Sequence, residues 1–325
     1  MVYYVLRRIL QGVVMIWLMS VVAFLAIYAL GNPISALINP NSPPEVVAAV
    51  VRDLGLDLPF HQQYLRFLGN LLQGDFGRSY ITSQPALSLI LDRFPATLEL
   101  TVAAMTLAAI FGIPLGIIAG YRPHSLSGHV VSLFSMTLLS LPSFWTALVL
   151  IILFSIEMSL LPTGGRGEIG TVLGISSSLF TLDGLRHIIL PAINLSLFPL
   201  AMSARLTAAG VRETMSTPFI KFARAKGMTT RSILFRYVLR NIMVPIVTVI
   251  GIVFGILLAF TVVTESIFAW PGTGRLIIDS IRSSDRPVII AYLMFTVTLF
   301  IVINFAVDVL CALIDPRISL DGRKG

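Results

Sequence analysis

The chain has 325 residues, of which 56% are hydrophobic and only 12% charged, with a mean hydropathy of +0.90. Long apolar runs separated by so little charge leave no polar surface to dissolve the chain in water, which excludes an ordinary soluble domain. The net charge of +7 and the pI near 9.9 come without a clustered basic domain, so they argue against nucleic acid as a partner and point to membrane topology.

A helix needs about 20 mainly apolar residues to cross the hydrocarbon core. Six segments qualify, at roughly 9–30, 97–120, 131–157, 188–210, 242–264 and 288–313. The first follows Arg7 and Arg8 and is longer than the 7 to 15 apolar residues of a secretory signal. No small-x-small site comes after it before Gly31-Asn-Pro33, so it is expected to be an uncleaved span.

The polar insertion over 31–96 is divided by Pro40, Pro43, Pro44, Pro59, Pro85 and Pro95. Apolar spacing at Val46, Val47, Val50 and Val51, and at Tyr64, Leu65, Leu68, Leu71 and Leu72, predicts amphipathic helices in an ordered outer subdomain. It either covers the helix tops passively or contacts a partner. The 159–187 loop, with Gly164-Gly-Arg-Gly167, is expected to be a flexible outer connection. It lacks the strand before and the helix start after that a phosphate loop requires.

With Arg7 and Arg8 in the cytoplasm, the N-terminus, 121–130, 205–241 and the C-terminus are cytoplasmic. These segments hold fourteen of the 23 Lys and Arg, including all three lysines, but only three of the 16 acids. The asymmetry predicts both termini inside, consistent with an even number of spans.

The basic run 217–240 carries the punctuation of two short helices. Thr217 is placed as an N-cap with Pro218 at the first helical position, and Gly227 as the left-handed stop. Phe219, Phe222 and Ala223 are expected to share one face. Thr230 is expected to cap a second helix, in which Ile233, Leu234, Tyr237 and Val238 share a face while Arg231, Arg236 and Arg240 point elsewhere. An amphipathic helix pair held at the membrane surface by its own spans suits contact with a cytoplasmic partner.

This segment resembles the cytoplasmic coupling loop of ABC importer permeases. Lys221-Phe222-Ala223 stands where the general pattern has Glu-Ala-Ala, Gly227 stands at its glycine, and the next proline comes late, at Pro245. Ala223-Arg-Ala-Lys-Gly227, Leu239-Arg-Asn241 and Pro245 are similar to the dipeptide, oligopeptide and nickel branch. The likeness continues through Tyr4-Val-Leu-Arg-Arg8, Gly74-Asp-Phe-Gly-Arg-Ser79, Arg93-Phe-Pro-Ala-Thr-Leu98, Ser140-Leu-Pro-Ser-Phe-Trp145, Pro271-Gly-Thr-Gly-Arg275 and Asp315-Pro-Arg-Ile318.

The resemblance implies an all-α membrane protein in the bacterial cytoplasmic membrane, a single transmembrane domain over 1–325. It would have six transmembrane helices in the type I importer permease fold, a helical extracytoplasmic insertion at 31–96 and a coupling loop at 211–241. In that loop Phe219, Lys221, Phe222, Ala223, Arg224, Ala225, Lys226 and Gly227 would meet the ATPase. The implied partners are a homologous second permease, two cytoplasmic ATP-binding subunits, an extracytoplasmic substrate-binding protein and the lipid bilayer. Di- or oligopeptides are the implied substrates, with nickel chelates, glutathione or other small solutes as alternatives.

No Gly-x-x-x-x-Gly-Lys-Ser/Thr phosphate loop occurs, so a non-catalytic subunit without a cofactor is expected, with hydrolysis in partner chains. His61, His124, His129, His187 and Cys311 are scattered and offer no metal-ligand spacing. An acid at the bilayer centre costs about 2.5–3.5 kcal/mol, so Glu265 and Asp308 are expected near span ends or facing other helices. With Asn194 they are candidates for a gate or lumen, and helix-to-helix hydrogen bonding is the alternative. Ser143, Ser196, Thr248 and Thr261 could line a polar path or act as helix glue. A self-sufficient secondary transporter would instead need ion-coupling carboxylates near the midplane.

The outer loop between the last two spans is expected to expose Arg275, Arg282, Asp285 and Arg286 beside an interfacial edge of Ile267, Phe268 and Trp270. It would seat the binding protein or anchor the loop in the bilayer.

Overall fold

A computed structural model describes residues 2–29, 43–45, 48, 51–52 and 57–314. Val46, Val47, Val50, Gly31-Asn-Pro33 and Asp315-Pro-Arg-Ile318 lie outside the described residues.

Helix α1 (Val2–Ala29) is followed by α2 (Phe60–Leu72), α3 (Ala86–Tyr121), α4 (Leu126–Ser140) and α5 (Ser143–Leu150), the last continued by π-type turns over Ile151–Glu157. An antiparallel hairpin, β1 (Gly170–Val172) with β2 (Ile175–Ser177), pairs Gly170 with Ser177 and Val172 with Ile175. Then come α6 (Leu182–Ser216), α7 (Pro218–Ala225), α8 (Leu239–Phe260), α9 (Val262–Ile267), α10 (Thr273–Arg282) and α11 (Arg286–Ile314).

Among the described residues five helices are long and apolar enough to span a membrane, and the pair α4 and α5 makes a sixth if its 104° bend is one broken span. The third span expected as one helix over 131–157 is therefore interrupted. Pro142 supplies no N–H and disfavours helical backbone at the residue before it, and Leu141 is extended, with φ −81° and ψ 129°. The second span is longer than expected. α3 has 36 residues, about 54 Å at 1.5 Å per residue, against a hydrocarbon core of about 30 Å. Its first turns occupy 86–96, inside the range expected for the polar insertion.

The chain divides into two compact units, Met1–Pro95 with Gly272–Ile301, and Ala96–Pro271 with Val302–Gly325. In the first, α1 and α2 meet through an aromatic cluster. Phe24 lies 5.1 Å from Phe60, 5.3 Å from Tyr64 and 5.5 Å from Phe67 between ring centroids, and Ser20 Oγ and the Tyr64 hydroxyl share a 2.9 Å hydrogen bond. Ala23, Ile290 and Met294 form the buried centre, with Phe67 and Leu71 packed on it. Leu65 and Leu72, expected on the same face as Tyr64, are instead exposed. The apolar face of α2 is narrower than the leucine count suggested, because the aromatic rings set its orientation.

In the second unit α6 is central, packing against α4 and α8 and burying Ala192, Leu195, Ala201, Ala204 and Val211. Gly112, Gly116 and Gly120 of α3 form a smooth strip against it, where an added Cβ would run into backbone carbonyls of Leu200, Ala204 and Ala208. This small-xxx-small spacing lets two helices approach closely in lipid, where burial of apolar surface gives no drive for helix association.

Candidate functional site

Three regions carry polar or exposed features that packing alone does not require. The first is the basic segment 217–240. Pro218 opens α7 as expected, but the Thr217 hydroxyl turns back to donate to the Thr214 carbonyl at 2.6 Å and makes no side-chain cap bond. Gly227, at φ +77°, ends the helix. The Gly227 N–H donates to the Arg224 carbonyl at 2.9 Å and the Met228 N–H to that of Ala223 at 3.3 Å, the paired closure of a Schellman motif.

The face of α7 differs from the expected one. Ile220 and Ala223 point inward and pack with Val211, Ile233, Val238, Ile242 and Ile246. Phe222 is 62% exposed and Phe219 45% exposed. A helix turns about 100° per residue, so 220 and 223 share a stripe that 219 and 222 only flank. Lys221, Arg224, Ala225, Lys226 and Gly227 are exposed, with the Lys226 ammonium 4.7 Å from the centre of the Phe222 ring.

Thr229, one residue before the expected Thr230, caps the next helix by accepting from the Ser232 N–H at 3.3 Å. That helix is not a separate short one, because residues 230–258 form one 29-residue span. π-type turns over Ile233–Val238 lead into α8. Ile233 and Val238 are buried and Leu234 and Tyr237 pack beside them, as the spacing predicted. Phe235 is exposed, and Arg231, Arg236 and Arg240 are turned outward.

The second region is a cavity of about 280 Å³ at the α4–α5 break. Leu138, Leu197, Phe198, Ile256 and Leu257 form its apolar wall, and its polar groups are Ser143, Thr146, Asn194 and Thr264. Asn194, only 3% exposed, accepts from the Thr146 hydroxyl at 2.6 Å and donates from Nδ2 to Thr264 Oγ1 at 3.0 Å. Of the other polar-path candidates, Ser196 and Thr248 hydrogen-bond backbone carbonyls of their own helices.

The third region holds buried acids. Glu265 of α9 is wholly buried and accepts from the Thr97 and Thr261 hydroxyls, each at 2.8 Å. Glu99, two residues after Thr97, forms an ion pair with Arg166 at 2.5 Å and accepts from the Ser178 hydroxyl. That pair fixes the loop expected to be flexible. Gly165 N–H also donates to the Phe268 carbonyl at 2.8 Å, and Gly164 lies so close to Phe268 backbone that a side chain there would collide with it. Asp308 is half-buried on α11.

The loop before α10 is not an interfacial edge. Phe268 and Trp270 are completely buried, and the Trp270 indole donates to the Ala96 carbonyl at 2.9 Å. Arg275 and Arg282 retain exposure, Arg275 pairing loosely with Asp279 at 3.9 Å. Asp285 and Arg286, expected outside, are each 3% exposed. Asp285 is taken up by the 77–83 turn, accepting from Ser79 Oγ at 2.5 Å and from the Tyr80 N–H at 3.1 Å. Burial holds the Tyr80 phenol above its ordinary pKa. Nearby Arg286 opposes this and Asp285 reinforces it.

Glu99, Arg166, Thr146 and Thr264 are site residues that the sequence does not single out. The glycines at 112, 116 and 120 carry a readable period-four signal. By contrast, the Thr146–Asn194, Glu99–Arg166 and Asn194–Thr264 pairings join residues 48 to 70 positions apart and leave no local pattern.

Residues 112–320 match the family described as binding-protein-dependent transport system inner membrane component, and residues 1–101 match the N-terminal component of the same kind of system. The chain belongs to this family and is a multi-pass permease subunit of a binding-protein-dependent ABC importer. It is 40% identical over 302 residues to the di/tripeptide transport system permease protein DppB of Pseudomonas aeruginosa (strain UCBPP-PA14), covering 89% of this chain and 90% of that protein. It is 36% identical over 319 residues to the glutathione transport system permease protein GsiC of Escherichia coli (strain K12), covering 98% and 99%. In fold it is similar to a chain of the inward-facing MetNI methionine ABC transporter, with a TM-score of 0.51 at 16% identity over 70% of this chain and 96% of that one. The expected type I importer permease fold is therefore the fold of this chain.

Proposed function

We propose that this permease carries di- or oligopeptides across the cytoplasmic membrane. The observation that carries the reading is the 40% identity to a di/tripeptide permease along nearly the full length of both chains. Glutathione, the substrate named for the second relative, is itself a tripeptide and is the second reading.

In this reading both termini are cytoplasmic, and the working complex contains a second permease, two ATP-hydrolysing subunits and an extracytoplasmic binding protein. The chain itself does no chemistry. Segment 211–241 meets the ATPase through exposed Phe219, Phe222 and Phe235 and the cations around them. Ile220 and Ala223 support that surface from beneath, because an apolar anchor on a rigid base with a charged rim suits a transient interface. Arg275 and Arg282 contribute to the seat of the binding protein. Asn194 belongs to the solute path, and Glu265 and Asp308 are gate candidates.

The reading is tested by ATP-dependent uptake in proteoliposomes containing the complete importer. Trialanine should accumulate and be displaced by other short peptides. Accumulation of a nickel chelate with no trialanine uptake would overturn it.

A further inference from the structure

The cavity at the α4–α5 break contains an amide whose hydrogen bonding is half used. A carboxamide offers two donors and about two acceptor positions. Thr146 occupies one position on Asn194 Oδ1 and Thr264 one on Nδ2, leaving one N–H and one lone pair. Both threonines line the same cavity as Asn194, so the anchors fix the amide plane at its wall. Buried polar groups in an apolar setting require partners, and no charged side chain lines this space.

An extended peptide presents the N–H and C=O of one residue on the same side, as in the paired bonds of an antiparallel ladder. One acceptor and one donor fixed on a single side chain are their complement. The wall of Leu, Ile and Phe around them would hold apolar side chains such as the methyl of alanine. A volume of about 280 Å³ lies near the low end of small-ligand sites, about 300–1,000 Å³, and suits one or two residues.

We propose that this cavity is a main-chain subsite for the transported peptide, in which the Asn194 amide, held by Thr146 and Thr264, pairs with the backbone N–H and C=O of one extended residue. The proposal rests on the peptide reading of the function and adds what is recognised: the amide backbone rather than any side chain.

The test compares uptake of trialanine with that of an analogue in which an ester replaces the first amide, removing the N–H of the central residue. It uses the complete reconstituted importer at saturating loaded binding protein, with the binding protein's affinity for both compounds measured separately. The wild-type complex should carry trialanine roughly fivefold faster, the size of one exchanged hydrogen bond. Asn194→Leu should bring the ratio close to one. A ratio taken within one preparation does not depend on how much protein folds. Thr146→Val and Thr264→Val, nearly isosteric, should each narrow the preference at least twofold.

A fivefold preference that persists in Asn194→Leu and both threonine variants would overturn the subsite. Trialanine uptake by the wild type without ester discrimination would overturn the subsite and leave the peptide reading standing. Failure of the wild type to carry trialanine would overturn both.

Discussion

Gly116 of α3 meets Ala204 of α6 backbone to backbone: a Cβ at Gly116 would lie 2.5 Å from the Ala204 carbonyl oxygen and 2.5 Å from Thr207 Cβ. The obstacle is main chain, so no rotamer change relieves it. Gly116→Ala should destabilise the protein by about 1–3 kcal/mol, the range for overpacking, and Gly116→Leu should prevent assembly. Thermal unfolding in detergent checks this. A Gly116→Ala transition within a degree of wild type would mean the helices separate at no cost.

Breaking the Glu99–Arg166 pair should be costly because the side chains are only 5% and 13% exposed. Arg166→Met should destabilise by about 3 kcal/mol, since it strands a buried carboxylate. Adding Glu99→Leu should recover a large part of that loss. A double-mutant cycle with a coupling energy near zero would show that the two residues act independently.

The segment from α10 to the start of α11 separates two kinds of charge. Arg275 and Arg282 are surface groups, so Arg275→Glu with Arg282→Glu should raise the binding-protein concentration giving half-maximal ATPase stimulation, most at low salt. Asp285 is a structural acceptor for Ser79 and Tyr80, so Asp285→Ala should lower thermal stability. A stimulation curve that the arginine substitutions leave unchanged at low ionic strength would remove these two residues from the seat of the binding protein.

Membrane composition, six apolar segments and the inner face of the α8 lead-in were legible because each follows from local hydropathy or helical period. Which face of α7 turns inward was not, since Ile220 and Phe219 are equally apolar. The distinction comes from Val211, Ile233 and Ile246 closing over one of them. Asp285 and Arg286 read as surface charges because Ser79 stands 206 residues before its partner. The break at Pro142 was signalled by Leu141-Pro142 itself, but the apolar run around it hid a bend of 104°.

Orientation can be checked with single cysteines after Cys311→Ala. Cysteines at Leu173 and Ser283 should react with an impermeant maleimide added outside intact cells. Those at Ser127 and Thr229 should react only after permeabilisation. The reverse pattern would invert the topology.

The claim that the 217–240 segment couples this permease to ATP hydrolysis is tested most directly at two neighbouring residues of α7. Phe222→Asp places a charge on the exposed face, whereas Ala223→Asp buries one among Val211, Ile233 and Val238. In the reconstituted importer, Phe222→Asp should keep the wild-type melting temperature and lose at least tenfold of the binding-protein-stimulated ATPase rate. Ala223→Asp should lose stability as well. Wild-type stimulated hydrolysis in Phe222→Asp would contradict the account.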